Sequence, residues 1–209
     1  PNGCGKTTSI GMMLGLITPS NGKILIDNKI FNSSNKIETL SLMNFASPYI
    51  ELPKKLTVFE NLNIYARLYG VKNISQRIEE IIEDLNLKNF IKKKTGELSS
   101  GQKNRVSLAK SLINKPKLLL LDEPTASLDP DVGDFVREYL EKYKSKNELT
   151  ILLASHNMKE IERLCDSVVM MKKGAIVDQG TCKMLVEKHG RNNLEETFLK
   201  IARSNNELE

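Results

Sequence analysis

The sequence predicts an α/β fold in which a parallel sheet carries an inserted helical subdomain, and three stretches predict it. "KLLLLDEP" (117–124) and "ELTILLASHN" (148–157) look like strands buried on both faces, and "PDVGDFVREYLEKYKSK" (130–146) between them looks like an amphipathic helix begun by Pro130. Strand, helix and strand in that order imply a parallel pair with a right-handed crossover. From Thr57 to Leu87 the apolar period becomes helical, with Leu62, Ala66 and Tyr69 on one stripe and Ile78, Ile81, Ile82 and Leu85 on another, which makes this third of the chain the insert.

The remaining elements follow in chain order. "GKTTSIGMMLGL" (5–16) reads as a helix starting at a glycine loop, and "GKILID" (22–27) as a short strand entered through the turn from Pro19 to Gly22. "LMNFAS" (42–47) is a second strand, "DSVVMMKKGAIVDQG" (166–180) a hairpin turning at Lys173 and Gly174, and two short helices end the chain. With 209 residues, 40% hydrophobic and 27% charged, the chain suffices for one large core or a core plus a smaller subdomain, and it reads as soluble and globular. No stretch reaches the roughly 18 apolar residues of a membrane span, and no signal-peptide pattern is visible. Cys4, Cys165 and Cys182 stand apart without metal-ligand spacing, so reduced thiols are expected, with neither disulfide nor structural zinc. The net charge of +5 suits nucleic acid, acidic lipid or nucleotide, and without basic runs interleaved with aromatics it reads as a solvated surface.

Chemistry concentrates in three places. In "PNGCGKTT" (1–8), Gly5, Lys6 and Thr7 fill the last fixed positions of the phosphate-loop pattern G-x-x-x-x-G-K-[ST]. Its first glycine would precede Pro1, so the loop is expected to be cut part-way, leaving a chain that binds ATP poorly and folds marginally. Glycines let backbone N–H groups and a helix N-terminus point at an anion, Lys6 adds a charge for the outer phosphates, and the Thr7 hydroxyl is placed for Mg²⁺. Asp122, ending a buried strand, is expected to orient Mg²⁺ through water, and the adjacent Glu123 to polarise the attacking water. His156 closes the next strand and is expected on the same rim, reaching the γ-phosphate; His189, in a polar helix, is not assigned a role. In "ELSSGQKNRVSLAKSLI" (97–113), Ser99, Ser100 and Gly101 precede an amphipathic helix and make a second anion site, which a partner chain's nucleotide would fill.

Together these residues resemble the nucleotide-binding subunit of ATP-binding cassette (ABC) transporters. "PNGCGKTT" resembles its Walker A motif, "LSSGQ" its signature, "LLLLDEP" its Walker B motif, "SLDP" its D-loop and "SH" its switch histidine, in family order. The resemblance implies a P-loop NTPase (RecA-like) core: a single ABC ATPase domain over 1–190 with a helical subdomain at about 51–114, then a short helical tail over 191–209. It implies ATP and Mg²⁺ as cofactors, with Asn2, Gly3, Cys4, Gly5, Lys6, Thr7 and Thr8 holding one nucleotide. Ser99, Gly101 and Gln102 would complete the opposite subunit's site, Asp129 would link the two, Thr7 and Asp122 would serve the metal, and Glu123 and His156 would be catalytic.

The implied protein is an ATP-hydrolysing subunit, peripheral at the cytoplasmic face of the membrane. Its implied partners are a second ABC ATPase subunit, forming a homodimer or heterodimer, and a separate membrane permease, with no nucleic acid expected. "RNNLEETFLKIARS" (191–204) resembles the tail of cassettes serving ABC-2 type exporters, which favours export. Two departures from the pattern stand out. Pro48 falls where the family usually has a glutamine that helps ligate Mg²⁺, with Ser47 beside it as a substitute oxygen, and Ser100 falls where glycine is commonest. A soluble ABC ATPase acting on ribosomes or nucleic acid, and a non-functional fragment, are the alternative readings.

Overall fold

The computed structural model describes residues 3–48, 51–126 and 128–203, and Pro1, Asn2 and Ser127 among the motif residues lie outside them. The chain divides into two compact units, one drawn from Pro1–Ser20 and Leu153–Glu209 and the other from Asn21–Leu152.

The larger unit opens with a hairpin that the sequence only half predicts. Strands β1 (Leu25–Ile26) and β2 (Lys29–Ile30) pair antiparallel through Asp27 and Asn28, at φ of 52° and 60°. Two successive left-handed residues match the twist of a two-residue hairpin turn, and Asp and Asn tolerate that conformation. Helix α1 (Lys6–Met13) belongs to the other unit; helix α2 (Lys36–Ser41) leads here into β3 (Met43–Ala46). β3 pairs in parallel with β4 (Leu118–Asp122), Met43 opposite Leu118 and Ala46 opposite Leu121. Leu119, Leu120 and Leu121 are completely buried, as a leucine run covered on both faces requires. β5 (Thr150–Ala154) follows β4 in the sheet order β3-β4-β5 and carries the chain into the smaller unit. It is not the doubly buried strand expected: at the sheet's edge among the described residues, Ile151, Leu152 and Leu153 are only half-buried.

Further α-helices among the described residues complete this unit. α3 (Val58–Leu68) begins at a capping box in which Thr57 Oγ1 accepts from the Glu60 N–H at 3.1 Å and Glu60 Oε2 accepts from the Thr57 N–H at 2.7 Å. α4 (Ile74–Asp84), α5 (Ser100–Leu112) and α6 (Pro130–Lys146) follow, the last with proline at its first position, where the missing N–H costs nothing. The predicted stripes are the buried ones: Leu62, Ala66, Ile78, Ile81 and Leu85 exclude solvent, while Tyr69 and Ile82 are half-buried. The buried Arg77 of α4 donates to the carbonyls of Leu112 at 2.6 Å and Ile113 at 3.1 Å and pairs with Glu80 at 2.9 Å. It thus satisfies the carbonyl end of α5 with a positive charge where the helix dipole favours one.

In the smaller unit α1 is followed, after the long excursion, by α7 (Met158–Leu164), which the strand-based reading of this region lacks. β6 (Val168–Lys172) and β7 (Ala175–Gly180) form the predicted antiparallel hairpin, with Lys173 and Gly174 at φ of 48° and 81°. α8 (Cys182–His189) and α9 (Leu194–Arg203) close the chain. Val168, Met170, Leu185 and Leu194 make the core, with Ile161, Cys165, Cys182 and Ile201 packed on it. α9 is anchored: Leu194 is fully buried, and Lys172 Nζ donates to the Ala202 carbonyl at 2.7 Å. Asp178 of β7 binds Lys188 at 2.7 Å and His189 at 2.6 Å, giving His189 a structural place on α8. No helix among the described residues is long and apolar enough to cross a membrane.

Candidate nucleotide site

In the smaller unit the glycine loop turns sharply into α1. Gly3 and Gly5 have φ of 74° and 106°, and Gly5 is the residue immediately before the helix. A Cβ on Gly5 would sit 3.5 Å from both Gly174 Cα and Met171 Cε, so both the backbone angle and the approach of the β6–β7 hairpin favour glycine there. Cys4 is buried, and its carbonyl accepts from the Gly174 N–H at 3.1 Å, tying the loop to that hairpin. Lys6 Nζ lies 3.8 Å from Cys4 Sγ, curled over the loop, while Thr7 and Thr8 are exposed in the first turn. A loop whose N–H groups lead into a helix N-terminus has the electrostatics of an anion cradle.

His156 lies in the same unit, two residues past β5 and exposed. Its neighbours are pinned: Ser155 Oγ donates to the fully buried Glu160 at 2.5 Å and accepts from the Asn157 N–H at 3.1 Å, and Asn157 caps α7. The sequence shows this support only as the spacing of Ser155, Asn157 and Glu160 around His156.

In the larger unit Asp122 ends β4 and is buried, and Glu123 follows at φ 53°. A left-handed conformation at a glutamate stores on the order of 1 to 3 kcal/mol and persists only where the surroundings enforce it, commonly at functional sites. The Ala126 N–H donates to the Glu123 carbonyl at 3.0 Å, closing the turn that follows. Because Ala46 pairs with Leu121, the parallel register carries the buried Ser47 alongside Asp122. Among the described residues no three His, Cys, Asp or Glu side chains group together as a metal cluster.

The signature stretch is built around the start of α5. Ser99 is the N-cap, its Oγ accepting from the Gln102 N–H at 3.3 Å while Gln102 Oε1 accepts from the Ser99 N–H at 3.1 Å. Two of the predicted ligands therefore satisfy each other as a capping box. Gly101 has a packing role that its motif does not announce: a Cβ there would lie 3.1 and 3.2 Å from the two methyl groups of Val132 on α6. Asn104 Nδ2 donates to the Pro124 carbonyl at 2.7 Å, joining α5 to the turn after Glu123. The Arg105 guanidinium lies 5.7 Å from the Phe90 ring and 5.6 Å from that of Phe135. Asp129 is exposed and N-caps α6 through its backbone, its carbonyl accepting from the Gly133 N–H at 2.9 Å. A cavity of about 290 Å³ opens beside these residues, bordered by Ser47, Pro48, Ser100, Lys103, Asn104 and Leu128.

A glycine loop heading α1 and a buried leucine strand in a parallel sheet, ending in adjacent carboxylates, define an α/β protein of the P-loop nucleoside triphosphatase class. Residues 1–126 match the family model described as ABC transporter, and the chain belongs to that family. It is 31% identical over 202 residues to the ABC transporter ATP-binding protein NatA of Bacillus subtilis (strain 168), covering 95% of this chain and 81% of that protein. It is 35% identical over 191 residues to Nod factor export ATP-binding protein I of Rhizobium sp. (strain N33), covering 90% of this chain but 62% of the relative's length. Among solved structures, an ATP-binding subunit of an ABC transporter superposes with a TM-score of 0.87 at 26% identity, covering 97% of this chain and 85% of that one. Such cassettes have the P-loop NTPase core expected from the sequence.

Proposed function

We propose that the chain binds and hydrolyses ATP as the nucleotide-binding subunit of an ABC transporter, paired with a second ATPase subunit and driving a separate membrane permease in the export direction. Family membership supports ATP as the ligand. Export is supported by a relative named for Nod factor export, together with the tail over 191–204. The assignment implies a peripheral location at the cytoplasmic face of the membrane. We assign the ABC ATPase domain to residues 1–190 and its tail to 191–209; the succession of α3, α4 and α5 supports a helical subdomain at about 51–114.

The observation that carries the hydrolytic reading is Glu123, held in a left-handed conformation directly after the buried Asp122. In this assignment the N–H groups of Gly3 to Lys6 and the Lys6 ammonium bind the phosphates, and Asn2 and Thr8 complete the loop's contacts. Magnesium takes hard oxygen ligands, keeps several waters and needs only one or two protein groups beside substrate phosphates. In this assignment the Thr7 hydroxyl and the Asp122 carboxylate would be that donor set, with Ser47 offering a further oxygen. The ion, when bound, would neutralise phosphate charge. Glu123 would accept the proton of the attacking water, His156 would hydrogen-bond the γ-phosphate, and Ser99, Gly101, Gln102 and Asp129 would serve the nucleotide shared with the second subunit.

A positioned general base contributes about 10²- to 10⁴-fold in rate. Glu123→Gln should therefore lower turnover by at least about a hundredfold while leaving ATP affinity within a few-fold, and Lys6→Ala should weaken ATP binding itself. Nucleotide-binding isotherms and phosphate release measured on the same preparations check both, and wild-type turnover in either variant would overturn the roles.

A further inference from the structure

Helix α7 begins as α3 and α5 do, with a capping residue, Asn157, followed three positions later by Glu160. In α3 and α5 the third residue reaches straight back to the N–H of the cap. In α7 the Asn157 N–H donates to Ser155 Oγ instead, at 3.1 Å, and Ser155 Oγ donates in turn to Glu160 Oε2 at 2.5 Å. One hydroxyl is thereby inserted into the box, and Asn157 Oδ1 closes it by accepting from the Glu160 N–H at 3.4 Å. The residue enclosed between Ser155 and Asn157 is His156.

Glu160 is fully buried, whereas Glu60 is exposed and Gln102 half-buried. The dipole of a helix N-terminus favours a first-turn glutamate at the surface and gives it no reason to leave water. A buried carboxylate is costly unless hydrogen bonds satisfy it, and a charged acceptor makes the short, strong bond that Glu160 makes with Ser155. The charge also sets direction. An ionised carboxylate only accepts, so the Ser155 proton points to Glu160 and a lone pair of the hydroxyl is left for the Asn157 N–H. The backbone on both sides of His156 is thus tied to a buried anchor, while His156 itself stays exposed, in the same unit as the glycine loop.

We propose that Ser155 and Glu160 are positioning residues for His156: the buried carboxylate orients the serine hydroxyl, and the hydroxyl holds the turn that presents the imidazole to the terminal phosphate of a bound nucleotide. The phosphate end of this proposal rests on the ATPase reading above; the brace around His156 does not. Neither Ser155 nor Glu160 touches the nucleotide in this scheme, so the loss of either is felt at the site only through His156. That separates the brace from an ordinary helix cap, whose loss weakens α7 whether or not an imidazole stands beside it.

The test is a double-mutant cycle on phosphate release, followed in single turnovers so that slow variants remain measurable. Ser155→Ala, at a half-buried position, should lower kcat about tenfold, the worth of one hydrogen bond to a charged group, and leave KM for ATP within about twofold. Glu160→Met, which keeps the site filled, should do the same. In a His156→Ala chain the Ser155→Ala change should alter kcat by less than about twofold, because nothing remains to be positioned. An equal drop with and without His156 would overturn the proposal, as would wild-type kcat in Ser155→Ala. Independently of catalysis, the chain holds two histidines, and His189, bound to Asp178 at 2.6 Å, serves as the internal reference for NMR. In Ser155→Ala the Asn157 amide should exchange at least about tenfold faster and the His156 ring signals should move, while those of His189 stay in place. An Asn157 amide as protected as in wild type, or both rings moving together, would refute the brace even where hydrolysis is slowed. If His156→Ala hydrolyses ATP like wild type, the phosphate role given to His156 falls with that part of the ATPase reading, and amide exchange and ring signals alone decide the brace.

Discussion

Gly101 illustrates how one residue can answer to two requirements. Its place in the signature motif suggests an anion-binding N–H, whereas its environment shows the methyls of Val132 waiting 3.1 and 3.2 Å from where a Cβ would be. That distance is tighter than ordinary van der Waals contact, so for an added methyl the Val132 side chain must give by a few tenths of an ångström. Overpacking of this sort costs about 1 to 3 kcal/mol. Gly101→Ala should therefore lower the urea midpoint, and Val132→Ala in the same chain should recover most of the loss. If only packing mattered, the double variant would also regain full ATP turnover; a ligand role predicts that stability returns while turnover stays depressed. Recovery of both together would remove Gly101 from the nucleotide site. Glu123 shows the converse case, in which the sequence supplies the carboxylate but not the backbone strain: no local pattern in "LLLLDEPT" announces a positive φ.

At the scale of elements, α3 and α5 begin with the same device, a capping box with its donor three residues on, but only one of them lies in a proposed site. Losing an N-cap hydroxyl costs typically about 1 kcal/mol. Thr57→Ala and Ser99→Ala should each destabilise by about that amount in chemical denaturation, yet only Ser99→Ala should also slow ATP hydrolysis. Equal turnover in the two variants would make the Ser99 hydroxyl a cap and nothing more. The helices were legible because their signals are local and periodic: Thr57 and Glu60, the Leu62–Ala66 stripe, Pro130 at the start of α6. β2 was not read beside the strand expected over 22–27 because it is two residues long, too short for alternation to register, and the turn depends on Asp27 and Asn28 accepting left-handed angles. β5 was overestimated because an apolar run records hydrophobicity and not position in the sheet, and the edge place it takes leaves it half-covered. For the site, the motif residues themselves were readable, but their supports were not. Val132 against Gly101, Pro124 against Asn104 and Arg77 against the end of α5 join residues about 20 to 36 positions apart, and no spacing rule predicts such pairs.

For the whole molecule, the two units carry ionisable groups that respond to opposite ends of the pH scale. In the smaller unit, hydrogen bonds from Lys188 and His189 hold the Asp178 carboxyl at about 2, below its ordinary 3.8. Its contribution to the β7–α8 junction is complete above the ordinary value, neutrality included, and is lost as pH falls through about 2. In the larger unit the balance lies in the alkaline range. Burial depresses Lys110 to about 8, so below that pH both folded and unfolded chains hold its proton and the folded state bears the whole cost of a buried charge. Between about 8 and 10.5 the unfolded chain still binds the proton while the native one does not, and stability rises with pH. At about 1.4 kcal/mol per tenfold change in proton affinity, the gain over that whole window is on the order of 3.5 kcal/mol. Above 10 the sign reverses, because burial raises Tyr69, Tyr139 and Tyr143, and unfolded tyrosines ionise first. The chain should thus be more resistant to urea near pH 9.5 than at pH 7.5 and weaker again at pH 11, and Lys110→Met should remove the rise while leaving the later fall. Far-UV circular dichroism is the suitable probe, since the chain has no tryptophan and tyrosine emission itself changes on ionisation. A wild-type midpoint that declines steadily from pH 7.5 to 9.5, with Lys110→Met following the same curve, would mean that the Lys110 ammonium is solvated in the folded protein rather than held against the Phe45 carbonyl and the Tyr65 and Tyr69 rings.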